Sequence, residues 1–299
     1  MARYLDPKND LTFKRIFGRH PDLLINFLNA VMPFESDRLI EEVEYLPSEL
    51  TPYNPAKKYS LVDVRCRDNH KRQFIIEMQM YWDKNFYNRI LFNAGKVYVS
   101  QLDRSENYSL LQPVYTLAIL NENFDHKTEE FYHHFQIVNR ENTDEIIPGL
   151  EFILVELTNK FRPATMSERK LMVLWLRFLK EVGEDLKMLP AEMQENEYIR
   201  KAAELCEEAA FTPAELAAYD KYWDIIRTEK TLFNSYWQNG WQTGEAKGRA
   251  EGRAEGETKT LERVVVDCKR NGFSLEQIRL ITNLTPEQII EMLKRHGYE

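Results

Sequence analysis

The chain has 299 residues, 43% of them apolar and 29% charged, with 11 Gly, 12 Pro, 3 Cys and a formal net charge of −8. This composition excludes collagen-like, disulfide-scaffold and wholly disordered classes, and the length fits a main globular domain with smaller pieces attached. Charge is uneven: residues 57–104 carry ten Lys and Arg against five Asp and Glu, whereas residues 181–229 carry five against thirteen. The acidity belongs to the later segment, so the earlier one can still face a polyanion, although counts alone also fit two solvated faces.

Residues 10–18 read as a short helix with Phe13, Ile16 and Phe17 on one side, and residues 20–31 as a second, with Leu23, Leu24, Phe27, Leu28 and Val31 at helical spacing. A strand is expected at 39–46, then a loop around Pro47, Pro52 and Pro55. Residues 59–67 and 71–80 read as two strands around the polar turn Asp68-Asn69-His70, 85–101 as a helix, 114–120 as a buried strand, and 131–138 and 152–157 as weaker strands. That order implies an α/β core of mixed sheet flanked by helices, followed by an all-helical C-terminal region over 167–181, 191–210 and 213–229.

Gly240, Gly244, Gly248, Gly252 and Gly256 then recur at every fourth residue. Each costs a helix about 1 kcal/mol relative to Ala, so the stretch reads either as a linker or as a helix whose Gly stripe admits another backbone on self-association. After a helix at 261–271 come two capping boxes, Ser274 with Gln277 and Thr285 with Gln288, the latter with Pro286 at the first helical position. The spacing is that of a helix-turn-helix, but Glu287 and Glu291 on the second helix would meet phosphates, so packing or oligomerisation is the expected role. The expected divisions are a core over 1–162, an acidic helical extension over 163–230, a Gly-periodic linker or self-association helix over 231–260 and a small helical tail over 261–299. Apolar runs such as 114–120 and 171–176 fall well short of the roughly 20 residues a membrane span requires. Residues 1–10 carry no apolar leader, so a cytoplasmic location is expected. Cys66, Cys206 and Cys268 are far apart and lack His partners at ligand spacing, which supports neither disulfides nor a zinc cage.

The chemistry concentrates in the hairpin. If Asp63 pairs with Glu77, His70 sits at the centre of the turn, and Val62 meets Met78, Val64 meets Ile76 and Cys66 meets Phe74 on one apolar face. The other face then opposes two carboxylates, Asp63 and Glu77, with Gln79 two residues further along. Opposed like charges destabilise a plain hairpin, and a divalent cation between them turns repulsion into ligation. Mg²⁺ suits the pair, because it needs only one or two carboxylates and fills its other positions with water, carbonyls or phosphate. By spacing alone, an acid-x-amide strand is more often not a site. His133-His134 point to opposite faces of a strand and make a poor ligand pair. Tyr81, Trp82, Phe86 and Tyr87 could stack on bases, but aromatics flanking a buried hairpin are more often core.

Val62-Asp63 followed by Ile75-Ile76-Glu77-Met78-Gln79 resembles the PD-(D/E)xK nuclease superfamily. The Glu-x-Gln ending, the opening Asn9-Asp10-Leu11-Thr12-Phe13-Lys14-Arg15-Ile16-Phe17-Gly18 and the Gly-periodic tail narrow the likeness to its recombination-promoting nuclease and transposase family, with residues 1 to about 225 matching the nuclease region. The resemblance implies a PD-(D/E)xK-like fold and a metal-dependent DNA endonuclease of low sequence specificity, linked to recombination or transposition. It implies that Asp63, Glu77 and the carbonyl of Met78 hold Mg²⁺, with Mn²⁺ able to substitute, and that Gln79 takes the place of the superfamily's lysine. Asp10, Lys14 and Lys96 are auxiliary candidates, with Lys8, Lys14 or Lys96 a source for the missing cation. DNA is the implied partner, and the tail a route to a homo-oligomer. The superfamily's Pro before the Asp is replaced by Val62, and the turn lacks a Gly. The alternative is a non-catalytic oligomeric DNA-binding or interaction protein that keeps the nuclease fold.

Overall fold

The computed structural model describes residues 3–50, 58–81, 83, 85–123, 130–158 and 170–298. Two compact units divide the chain, residues 1–226 and 227–299. Among the described residues no helix is long and apolar enough to cross a membrane.

The first unit opens with α1 (Asp10–Phe17), whose N-terminus is capped by the Asn9 side chain accepting from Leu11 N–H, and α2 (Pro21–Val31). These present Phe13, Ile16, Phe17, Leu23, Leu24, Phe27 and Leu28, all with no exposure, to one core. The expected first strand is short, β1 (Val43–Tyr45), followed by the separate pair β2 (Glu49–Leu50) and β3 (Ser60–Leu61). Then come β4 (Val64–Asp68), β5 (Gln73–Gln79), α3 (Phe86–Val99), β6 (Val114–Leu120), β7 (Tyr132–Val138) and β8 (Ile146–Glu156). The six-stranded sheet has the order β1-β4-β5-β6-β8-β7. Its centre, β5-β6-β8, is parallel, with β1 and β4 antiparallel on one side and β7 antiparallel on the other.

Alternation along β5 decides which residues go where. Phe74 and Ile76 join Val64, Cys66, Leu117 and Ile119 in the main core under α1, α2, α4 (Lys170–Glu181), α5 (Ala191–Glu195) and α6 (Glu197–Leu205). Ile75 faces the other way, packing with Ala94 and Val97 of α3. Glu77 and Gln79 share the parity of Ile75 and so lie on the α3 side.

The hairpin register is the expected one, Val64 opposite Ile76 and Cys66 opposite Phe74. Val62 departs from expectation: the chain bends at Asp63, and Val62 packs with Leu50, Ile75 and Ala94 rather than with Val64 and Cys66. The turn without glycine is closed by Lys71 at φ 64°, and the buried Asp68–Arg72 ion pair at 2.6 Å braces it. Strand β8 begins six residues earlier than the sequence pattern suggests, because Pro148 and Gly149 read as breakers. Gly149 instead sits within the strand at φ 147°, near the register shift between Gln136 and Ile137, with the Tyr98 ring where a side chain would go. The single helix expected over 191–210 is broken at Asn196, whose side chain caps α6 by accepting from Tyr198 and Ile199 N–H. The loop residues Pro52 and Pro55 and the helix start at 167–169 lie outside the described residues.

The last long element, α7 (Pro213–Arg270), begins in the first unit and continues into the second. Its opening turns pack Phe211, Leu216, Tyr219 and Trp223 with Leu5 and Leu11. The segment with five glycines is helical throughout, and within 4 Å of a Cβ added at any of them there is nothing among the described residues. In the second unit, α8 (Leu275–Thr282) and α9 (Pro286–Arg295) carry both expected capping boxes. Val265, Ile278, Ile289 and Leu293 form a small core there.

Candidate active site

Asp63 stands at the bend just before β4, half-buried, and its Oδ2 accepts from Met78 N–H at 2.7 Å. The bend ends the backbone ladder, so a side-chain carboxylate takes the N–H that a continued strand could have paired. Burial pushes the Asp63 carboxyl up to about 7, against the pull of that hydrogen bond, with Glu77 and Asp10 pushing it further up and Lys14 pulling it down. Glu77 on β5 is 7% exposed, and burial raises its pKa too, opposed by a hydrogen bond from Asn93 and by the charge of Arg89. Two acids are thus held together in a place that disfavours their charge.

Helix α3 closes the site from above. Asn93 Nδ2 donates to Glu77 Oε1 at 3.1 Å, and Asn93 is 1% exposed with its Oδ1 lacking a hydrogen-bond partner among the described residues. One turn earlier, Arg89 donates to Gln79 Oε1, while Gln79 Nε2 donates to the carbonyl of Tyr81. Both ends of the Gln79 amide are therefore taken up within the protein. Because Arg89 and Asn93 are four apart on a helix and Glu77 and Gln79 two apart on a strand, the two pairs form successive rungs between α3 and β5.

The auxiliary candidates divide. Lys14 pairs with Asp10 at 2.7 Å on α1, and both act on the Asp63 carboxyl. Lys96 is engaged elsewhere, donating to the carbonyls of Leu50 and Lys58 and to Ser60 Oγ. Lys8 is 8% exposed and held by Asp6 and the carbonyl of Leu179. Of the aromatic candidates, Phe86 is core, Tyr87 is 40% exposed and Trp82 lies outside the described residues. His134 pairs with Glu151 and His133 lies 3.9 Å from Glu156, on opposite faces of β7.

Asn93, Arg89 and Tyr222 are absent from the expectation. Asn93 had a faint signal, an amide within the otherwise apolar face Phe86, Ile90, Ala94, Val97. Tyr222, on the part of α7 in the first unit, is half-buried, and its hydroxyl pKa is raised by burial first and then by the charges of Asp10 and Asp63. Nothing in the spacing of the sequence announced that α7 would return to the hairpin.

Among the described residues no group of three or more His, Cys, Asp and Glu is gathered as a metal cage. A half-buried carboxylate, a buried one and a neighbouring main-chain carbonyl nonetheless fit a hard ion that takes one or two carboxylates and completes its shell with water and phosphate.

A mixed sheet with an Asp at the edge of one strand, a Glu within the next and helices on both faces defines a nuclease-type α/β core. A family model for PD-(D/E)XK nuclease family transposases matches residues 7–233, and the chain belongs to that family. No curated protein and no solved structure gives a match. Family membership carries a nuclease or transposition-related function with DNA as substrate.

Proposed function

We propose that the chain is a Mg²⁺-dependent DNA endonuclease of low sequence specificity acting in recombination or transposition. The observation that carries this reading is the meeting of two carboxylates: Asp63, at the bend before β4 and bonded to Met78 N–H, and the buried Glu77 of β5, close enough that the Glu77 charge acts on the Asp63 carboxyl. Asp63, Glu77 and the Met78 carbonyl would hold the ion, with Mn²⁺ able to replace it. A bound divalent ion polarises a phosphoryl oxygen and lowers the pKa of water. The chain's own groups do the rest: Met78 N–H fixes one oxygen of Asp63, and Asn93 fixes one oxygen of Glu77. In hydrolysis the water oxygen bonds to phosphorus as the bond from phosphorus to the leaving sugar oxygen breaks, and that oxygen takes up a proton.

The helical Gly stripe supports a homo-oligomer through the second unit, since no packing among the described residues requires those glycines. A second reading, a DNA-binding or interaction protein without catalysis, draws on the absence of an ammonium at Gln79. Incubating purified protein with supercoiled plasmid, in Mg²⁺ and in EDTA, separates the two. Nicking in Mg²⁺ alone, lost in Asp63→Ala, is the expected result, and intact plasmid bound by the protein in both buffers supports the second reading.

A further inference from the structure

An endonuclease that hydrolyses a phosphodiester must stabilise negative charge growing on the phosphate, and a cation set beside that charge in a water-poor site is the most effective device for doing so. Strand β5 carries no such cation, since the residue two beyond Glu77 is the neutral Gln79. A cation lies across the gap on α3. Arg89 is bonded to Gln79 Oε1, and its charge acts on the Glu77 carboxyl. Its other described partners are the Phe86 ring, 5.2 Å from the guanidinium carbon, and a long ion pair with Asp83 at 3.5 Å. One terminal nitrogen of the guanidinium is taken by Gln79 and the other faces Asp83, while the side chain as a whole is 39% exposed. A guanidinium keeps its charge at any working pH and offers paired N–H groups matched to two phosphate oxygens. The loose, half-exposed pair with Asp83 is of the kind worth little in water, so a phosphate can replace it.

Lysine alternatives fit less well. Lys96 and Lys8 are held by carbonyls away from the acids, and Lys14 is paired at 2.7 Å with Asp10.

We propose that Arg89 on α3 is a catalytic residue that contacts the scissile phosphate, and that Gln79 is the positioning residue that aims it. This rests on the nuclease reading above and deepens it. Gln79 then acts through the guanidinium, with its Nε2 anchored on the Tyr81 carbonyl so that its oxygen can face Arg89.

The test uses the full chain with supercoiled plasmid and Mg²⁺, comparing Arg89→Ala, Arg89→Gln, Arg89→Lys, Gln79→Ala and the double variant Arg89→Ala with Gln79→Ala. Arg89→Ala and Arg89→Gln are expected to lower kcat on the order of 10²-fold, as loss of one donor to a developing oxyanion does, with the Mg²⁺ concentration for half-maximal rate unchanged. Arg89→Lys should recover part of the rate, and added guanidinium ion should restore part of it to Arg89→Ala. Gln79→Ala should lose less than Arg89→Ala, and the double variant should be no slower than Arg89→Ala, because Gln79 works only through its partner. A second readout needs no turnover: anisotropy of a labelled duplex in EDTA should show the slope of log affinity against log salt falling by about 0.9 in Arg89→Gln, one phosphate contact. If Arg89→Ala fails to fold by circular dichroism, Arg89→Gln decides. An Arg89→Gln protein that nicks plasmid within twofold of wild type and keeps the full salt slope overturns the proposal while leaving the nuclease reading intact. Multiplicative losses in the double variant overturn the role of Gln79. Wild-type protein inert in Mg²⁺ would instead remove the reading on which both rest.

Discussion

Replacing Asp63 by Asn tests the electrostatics of the site without asking for activity. The amide keeps an oxygen for Met78 N–H but cannot ionise. In the folded protein, free of metal, burial pushes the Asp63 carboxyl up to about 7, against 3.8 for a freely solvated aspartate side chain. The folded state therefore holds a proton that the unfolded chain releases from about pH 4, and stability is lost as pH rises from about 4 to about 7, with no further loss above. Linkage puts the cost at about 2 kcal/mol at pH 5 and about 4 kcal/mol at pH 8, so the gain from Asn should grow by on the order of 2 to 3 kcal/mol between those pH values. Any cost of burying the new amide N–H₂ is the same at both pH values and cancels in that difference. For a unit of this size about 2 to 4 °C accompanies each kcal/mol, so the Tm advantage of Asp63→Asn should be about 5 to 10 °C larger at pH 8 than at pH 5. Thermal unfolding of both proteins in EDTA, followed by near-ultraviolet circular dichroism at the two pH values, measures it. An equal Tm difference at pH 5 and pH 8 would refute the claim that burial holds this carboxyl high.

Further outcomes follow from other contacts. Asn93→Leu should weaken Mg²⁺ dependence of cleavage by about 10- to 100-fold, the usual effect of removing a group that orients a metal-binding carboxylate, and a Mg²⁺ titration that superimposes on wild type would contradict it. Truncation after Asn239 should lower the number of chains per particle, read from light-scattering mass divided by chain mass, while the first unit keeps its circular dichroism, and an unchanged number would sink the oligomer. Gly248→Ala with Gly252→Ala should raise helix stability by about 1 kcal/mol each, since a Cβ there meets nothing within 4 Å among the described residues, yet should lower the mass if the stripe is a contact between copies.

The hairpin was legible because strand alternation has a fixed period: one choice of register fixed Val64 against Ile76 and Cys66 against Phe74, although the ladder stops short of Asp63, whose carboxylate meets Met78 N–H. The helical cores of α1 and α2 were legible for the same reason, through a period of 3.6. What the sequence hid depends on contacts between distant segments or on backbone breaks. The bend at Asp63 turned Val62 to the other face, Gly149 continued a strand it would ordinarily end, and Asn196 divided one helical run into two. Arg89 and Asn93 read as ordinary helix residues until β5 lay against them, and Lys96 read as a cation for the site until the carbonyls of Leu50 and Lys58 were found to hold it.

That Asp63 and Glu77 together hold the metal of a nuclease is tested most directly by the rate of supercoiled-to-nicked plasmid conversion at saturating Mg²⁺ for wild type, Asp63→Ala and Glu77→Ala, purified side by side and shown to be folded. Wild type is expected to nick in Mg²⁺ and not in EDTA, with losses beyond ~10³-fold in each variant, since either carboxylate alone leaves the ion without its paired ligands. Cleavage by either variant at a rate near wild type, with the same dependence on Mg²⁺, would contradict it.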